Sequence, residues 1–235
     1  MIEPMSPTEG WGVLHLFCKV TPLADTDAVL VAERLLVGPG HMVEAGAHQL
    51  VAAAILGHKA DICLMALGPD MWRLRKFQTD IEAAGLTVVD SYLSLTEISE
   101  YAKGVPEERR QARLFPQLPP EGKRAFCFYP MSKRRGEVDN WFMLPYEDRE
   151  QLMFGHGATG RTFAGRVLQV VTGSTGIDDY EWGVTLFAVH PDDLKECVYT
   201  MRYDEASSRF AEFGAFYTGM VAPLRDVLVT VGITS

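Results

Sequence analysis

The order of segments between residues 125 and 221 constrains this chain more than anything else in it. Residues 125–131 read as a strand, 146–163 as a helix, 167–173 and 182–188 as two strands, 191–202 as a helix and 213–221 as a last strand. Strand, helix, two strands, helix, strand is the order of a ferredoxin-like unit. The first half offers similar material. Residues 11–20 form a buried strand, and residues 45–56, rich in Ala and Leu and ending before Gly57, read as a helix. Residues 60–67 are a short apolar strand, and Met71, Leu74, Phe77 and Ile81 recur at helical spacing until Gly85 stops the helix and residues 86–93 resume as strand. Trp11-Gly12-Val13 opens one strand and Trp182-Gly183-Val184 another, which suggests related halves. Two such units side by side can join their sheets and curl into a barrel, which leaves few open edges. The expected fold is α+β: two ferredoxin-like units whose antiparallel sheets join into a barrel with helices outside.

Between residues 96 and 123 the composition changes, with a charged run at 107–113 and prolines at 106, 116, 119 and 120. We therefore expect an N-terminal unit over residues 1–105 without a cofactor site, a linker over 106–123, and a C-terminal unit over 124–235 that carries the site. At 47% apolar and 23% charged, the chain has ample core and no disordered tract. A net charge of −9 gives no electrostatic footprint for nucleic acid, so any anionic ligand must be met by local cations. The longest apolar run, residues 50–56, falls short of the roughly 20 residues that cross a bilayer, and the first residues lack the cationic start of a secretory signal. A soluble, cytoplasmic protein is expected. Cys18, Cys63, Cys127 and Cys197 are too widely spaced to signal a zinc site or a disulfide framework and read as reduced core thiols.

Chemistry is concentrated in the second half. The strand that holds Phe126 and Phe128 continues as Tyr129-Pro130-Met131-Ser132-Lys133-Arg134-Arg135. Alternation puts Tyr129, Met131 and Lys133 on one face and Ser132 and Arg134 on the other, either as a pocket wall or as a strand end with a solvated basic turn. Late in the following helix, Gly155, Gly157 and Gly160 surround His156. Each glycine costs a helix about 1 kcal/mol relative to alanine, so three in six residues need a cause, such as close approach of another backbone or of a flat ligand. Of the six histidines, His15 alternates within a core strand, His41, His58 and His190 lie near breaks, and His48 sits in an ordinary helix; His156 is the best metal-ligand candidate. One imidazole is too few for a protein-built mononuclear site, but a porphyrin iron brings four nitrogens and needs only one proximal histidine. Gln169 is the odd polar residue of an apolar strand, either on an exposed face or placed to bond a species on the iron. The run Asp204-Glu205-Ala206-Ser207-Ser208-Arg209 caps a turn or offers a hydroxyl to a carboxylate.

These residues, together with Asn140-Trp141-Phe142-Met143-Leu144, residues 172–187 and Met201-Arg202-Tyr203-Asp204-Glu205, resemble the coproheme decarboxylases of the chlorite dismutase-like haem superfamily. The resemblance is dense from about Arg113 to Val221. It implies that His156 is the axial iron ligand and Tyr129 the residue oxidised to a radical. Residues 129–133 (Tyr129, Pro130, Met131, Ser132 and Lys133) would run along the cofactor edge, Lys133 and Ser207 would lie near propionates, Gln169 would be distal, and Arg113 would match a propionate-binding arginine. It implies further a peroxide-dependent oxidative decarboxylation of two propionates of iron coproporphyrin III (coproheme), which is both substrate and redox cofactor, to the vinyl groups of haem b. A homopentamer and a transient contact with the iron-inserting chelatase are part of the same implication. Chlorite dismutases carry an arginine where this chain has the neutral Gln169. The other readings are a haem-binding or haem-transfer protein without catalysis, and a chlorite dismutase-like peroxidase. Glu205 and Glu212 are the candidates for the residue that orients His156.

Overall fold

The computed structural model describes residues 3–38, 48–102 and 104–233. Its first half is built from β1 (Gly12–Val20), α1 (Thr26–Val37), β2 (Gln49–Ile55), β3 (Ile62–Gly68), α2 (Met71–Ala83) and β4 (Leu86–Thr96). A connecting helix, α3 (Glu107–Leu114), lies within the Pro-rich segment. The second half follows as β5 (Ala125–Lys133), a 3-10 turn (Trp141–Met143), α4 (Tyr146–Arg161), β6 (Val167–Gly173), β7 (Trp182–Ala188), α5 (Pro191–Met201), α6 (Glu205–Ser208), β8 (Ala211–Phe213), β9 (Tyr217–Val221) and α7 (Leu224–Thr230).

The strands form one antiparallel sheet in the order β7-β6-β4-β1-β3-β2-β9-β5-β8, and β5 also pairs with β7, so eight strands close into a ring. Within it, β4-β1-β3-β2 and β6-β7-β5-β9 each have the ferredoxin-like neighbour order. They join where β4 meets β6 at Leu95↔Gly173 and where β2 meets β9 at Ala53↔Val221. The α+β barrel expected from the segment order is the observed fold. The repeated Trp-Gly-Val does not mark equivalent strands, however, since β1 is the first strand of its half and β7 the third.

Three further expectations change. Residues 49–55 are a strand, and residues 45–47 lie outside the described residues. The alanines of β2 reflect burial on both faces: Val51, Ala53 and Ile55 point into the barrel, while Ala52 and Ala54 lie under the outer helices. Small side chains fit that crowding, and tertiary context overrides helix propensity. The helix of this half is α1, capped by Asp25, whose carboxylate accepts from Ala28 N at 2.9 Å. His48 consequently lies beside a strand; it is buried, and burial lowers its pKa. Finally, residues 213–221 are two strands. Met131 pairs with Phe213 and Phe128 with Tyr217, so three residues of that strand oppose two of β5, and the bulge carries Phe216 onto Tyr129.

Two layers of packing result. The barrel interior holds Trp11, Phe17, Met65, Phe126, Phe128 and Phe187, with His15 among them. The His15 ring lies 4.2 Å from that of Phe128 and its Nε2 is 3.0 Å from Thr185 Oγ1; complete burial lowers its pKa to about 3 and keeps it neutral. Outside the ring, α1, α2 and α7 cover the first half and α5 covers β5, β6 and β7. All four cysteines are buried and free. No helix among the described residues is long and apolar enough to cross a membrane.

Candidate haem site

Helix α4 differs from the other long helices in that none of its 16 residues is buried. It leans on α5 and α6 and is pinned at its start, where Arg149 donates to Tyr101 Oη at 3.0 Å and to Leu144 O at 2.8 Å. A helix of this length with an uncovered face leaves room for a flat group between itself and the sheet. Gly155 has nothing within 4 Å of where a Cβ would stand, and a Cβ on Gly160 would lie 4.0 Å from Gln169 Nε2. Gly160 follows His156 by one turn, so the His156 face of α4 and the Gln169 face of β6 are brought together.

His156 is oriented by α6. Asp204, the residue that caps α6 by accepting from Ser207 N at 3.1 Å, places both carboxylate oxygens 3.2 Å from His156 Nδ1, and Ser207 Oγ is 3.4 Å from the same nitrogen. A carboxylate there accepts a hydrogen bond from Nδ1–H, which selects the tautomer whose Nε2 lone pair is free for a metal. Burial alone would raise the pKa of Asp204, but the bonds from His156 and Ser207 bring it below the usual carboxylate range. Neither glutamate expected in this role has it: Glu205 pairs with Arg209 at 2.6 Å and Glu212 with Arg134 at 3.5 Å. The sequence signal for Asp204 was present, as an Asp three residues before a Ser at the start of a short helical turn.

The sheet side carries the phenol and the ammonium. Tyr129 and Met131 extend from the outer face of β5 into the cluster formed with Cys197 and Leu194 of α5, and Gln169 lies on the corresponding face of β6. The Tyr129 ring stacks on Phe216 at 4.5 Å and meets Phe213 edge-on at 5.6 Å. Its hydroxyl bonds no described residue, and burial pushes the phenol well above its ordinary pKa, so it is a neutral phenol at physiological pH. Lys133, only 6% exposed, donates to Ala206 O at 2.8 Å and stands 4.4 Å over the Trp141 ring. Burial lowers its pKa to about 8, against the pull of Asp204 and Glu181. Ser132 Oγ turns the other way and accepts from Glu181 N at 3.2 Å; Pro130, which cannot donate to a ladder, accepts at its carbonyl from Gly214 N at 2.9 Å.

One expectation stands apart from this cluster. Arg113 is exposed at the end of α3 and forms no ion pair or hydrogen bond with a described residue, while its neighbour Leu114 docks on Gly10 and Thr96 at the far end of β4. By contrast Arg202, not singled out from the sequence, has its guanidinium 4.6 Å over Phe213, next to Tyr129, and has no described carboxylate partner. Its one signal was a cation two residues before the Asp204 cap.

Among the described residues no group of three His, Cys, Asp or Glu could hold an ion unaided. The donor set fits a metal that brings its own equatorial ligands: one oriented imidazole, an open helix face, and two cations for peripheral carboxylates.

Comparison with known proteins agrees with this geometry. The chlorite dismutase family model matches residues 30–222, so the chain belongs to the chlorite dismutase family. Within that family it resembles proteins named coproheme decarboxylase. That of Staphylococcus carnosus is 39% identical over 246 aligned residues, covering 95% of this chain and 96% of the relative. That of Staphylococcus saprophyticus is 46% identical over 177 residues, covering 71% and 70%. A solved structure described as a novel heme-binding protein from Thermus thermophilus matches with a TM-score of 0.83 at 35% identity, over 98% of this chain and 99% of that one. A mutant chlorite dismutase from Candidatus Nitrospira defluvii shares the fold, with a TM-score of 0.73 at 15% identity over 96% and 97%.

Proposed function

We propose that this chain is a peroxide-dependent coproheme decarboxylase, which converts two propionates of iron coproporphyrin III to vinyl groups and yields haem b. The observation that carries the reading is His156, oriented through Nδ1 by Asp204 on an uncovered helix face opposite a buried phenol without a hydrogen-bond partner. Bound coproheme would supply the redox chemistry by which peroxide is spent.

The chain's own residues supply the rest. When the group is bound, His156 would hold its iron through Nε2, and Gln169 would line the same pocket from β6. Lys133 and Arg202 are placed to meet propionates, and leaving Ala206 O for a carboxylate gives Lys133 a charge-assisted bond in place of a neutral one. Pro130 and Met131 form the wall between phenol and ammonium, Ser132 fixes the strand behind them, and Ser207 joins the His156 cluster from α6. Arg113 is the weakest member of the set on this geometry.

Tyr129 is a neutral phenol with a pKa too high for a base at neutral pH, so its use is to give up one electron and a proton and then take a hydrogen from the propionate carbon next to the ring. Loss of that hydrogen and one further electron releases carbon dioxide and leaves the vinyl group. Phe213 and Phe216 fix the ring, so the geometry of the propionate decides which chain reacts. We further propose that the enzyme works as a cytoplasmic homopentamer and receives coproheme from the iron-inserting chelatase.

The test is to load the protein with iron coproporphyrin III, titrate hydrogen peroxide and follow the porphyrins by mass. Stepwise loss of two carboxyl groups is expected, and Tyr129→Phe should bind coproheme normally without turning it over. Binding without a mass change would leave a haem carrier, and oxygen release from chlorite would leave a chlorite-degrading enzyme.

A further inference from the structure

Tyr217 is a second phenol near Tyr129 and has no part in the chemistry above. It sits in β9, cross-strand from Phe128, with its ring inside the barrel, while Phe216 before it lies outside and stacks on the Tyr129 ring at 4.5 Å. One peptide bond therefore joins the two faces of the sheet wall. Tyr217 stacks on Phe17 at 3.7 Å and donates its hydroxyl to Asp90 Oδ2 at 2.5 Å. Asp90 lies on β4 in register with Phe17 and is exposed, so the buried phenol ends on a carboxylate in contact with solvent.

The two phenols differ in what surrounds the hydroxyl. Removing an electron alone leaves a cation in a buried site, which is costly unless a proton leaves with it. Tyr129 has no hydrogen-bond partner for its proton among the described residues, whereas Tyr217 has a carboxylate. Lys59 donates to Phe216 O at 2.8 Å and holds its ammonium 5.6 Å from the centroid of the Tyr217 ring. That cation disfavours a bare ring cation further and makes transfer of the proton to Asp90 a condition of oxidation. Tyr92, also in the barrel, bonds Ser174, which is no base.

We propose that Tyr217 and Asp90 form a protective relay, which drains oxidising equivalents from Tyr129 to the mouth of the barrel when no reacting propionate stands beside it. This goes beyond the decarboxylase reading and rests on it for the oxidation of Tyr129 by peroxide at the bound haem. Tyr217 loses one electron to oxidised Tyr129 and its hydroxyl proton to Asp90; Tyr129 takes that electron with a proton from water and is a phenol again. A soluble one-electron reductant of the ascorbate class then returns an electron to Tyr217, and Asp90 gives back the proton. With substrate bound, the propionate beside Tyr129 is the nearer reactant and reacts first. With haem b, which lacks the reacting chains, the longer path through Phe216 takes over.

The test uses the whole protein carrying ferric haem b, mixed with excess peroxide and ascorbate and freeze-quenched for electron paramagnetic resonance. Tyr217→Phe removes the phenol, and Asp90→Asn keeps a hydrogen-bond acceptor while removing the base. In both, the tyrosyl radical should decay about tenfold more slowly than in wild type, the equivalent of one charge-assisted hydrogen bond. Peptide mapping should find more oxidised Tyr129 in both, and decarboxylation of coproheme at limiting peroxide should be unchanged. Wild-type decay of the radical in either variant overturns the relay. A wild type that takes up no haem, as its Soret band shows, or that forms no tyrosyl radical abolished by Tyr129→Phe, overturns instead the reading on which it rests.

Discussion

Replacing Asp204 separates two tasks that one side chain performs. Its carboxylate caps α6 and orients His156, and asparagine is as good a helix cap as aspartate. Asp204→Asn therefore keeps the turn but removes the charge that polarises the imidazole. Both His156 Nδ1 contacts are 3.2 Å, at the long end of the hydrogen-bond range, and the imidazole is 30% exposed, so the low end of the charge-assisted range applies, about 1.5 kcal/mol. That is about a tenfold loss of affinity for haem and for coproheme, within the 10–100-fold usual for a residue behind a metal ligand. Asp204→Ala should lose the same affinity and, with the cap gone, about 1 kcal/mol of stability as well. Soret titrations of cofactor-free protein measure the first effect and urea unfolding the second. The sign with pH follows from the lowered pKa of Asp204. Its stabilisation is complete above the ordinary carboxylate range and is lost as pH falls through the lowered value, a loss that Asp204→Asn should not show. Wild-type haem affinity in Asp204→Asn would refute the argument.

Lys133 has a folded-state pKa lowered to about 8, below its unfolded value, so the unfolded chain binds more protons from about pH 8 to the ordinary lysine value and stability should rise with pH across that window. Urea midpoints of wild type against Lys133→Met check this, and coproheme affinity, which needs the charged ammonium, should fall over the same window; a flat profile in both would remove Lys133 from the propionate site. Gly160→Ala places a methyl 4.0 Å from Gln169 Nε2 without a clash and should stabilise the free protein by about 1 kcal/mol while weakening haem uptake. A gain in melting temperature with unchanged uptake would show that the glycine clears no space for a cofactor.

The fold was legible where periodicity and breakers coincided. The α2 helix with its Gly85 stop, the α4–β6–β7–α5 series and the β5 strand are where the pattern put them. Residues 49–55 misled because alanine in a strand buried on both faces serves packing, and composition alone cannot distinguish that from helix propensity. The bulge at residues 214–216 was invisible because it depends on which β5 residues the strand meets. In the site, His156 stood out through its glycines and Tyr129 through the strand it ends. Asp204, Arg202 and Phe216 did not, because each matters through a contact with a residue distant in the chain.

The asymmetry of the pocket has its own logic. Tyr129 and Gln169 sit on strands whose backbone bonds are satisfied around a closed ring, whereas His156 sits on a helix with three glycines and no buried residue. A helix gains most of its stability by burying a face, and each interior glycine takes away about 1 kcal/mol relative to alanine. Held by Arg149 at one end and by Asp204 near the other, α4 therefore draws its remaining stability from whatever covers it. If that cover is the macrocycle, binding and helix stability are one equilibrium, and a ligand that loses two carboxylates loses part of its grip on Lys133 and Arg202. Substrate would then stabilise α4 more than product does, which favours release after the second decarboxylation without a separate opening device.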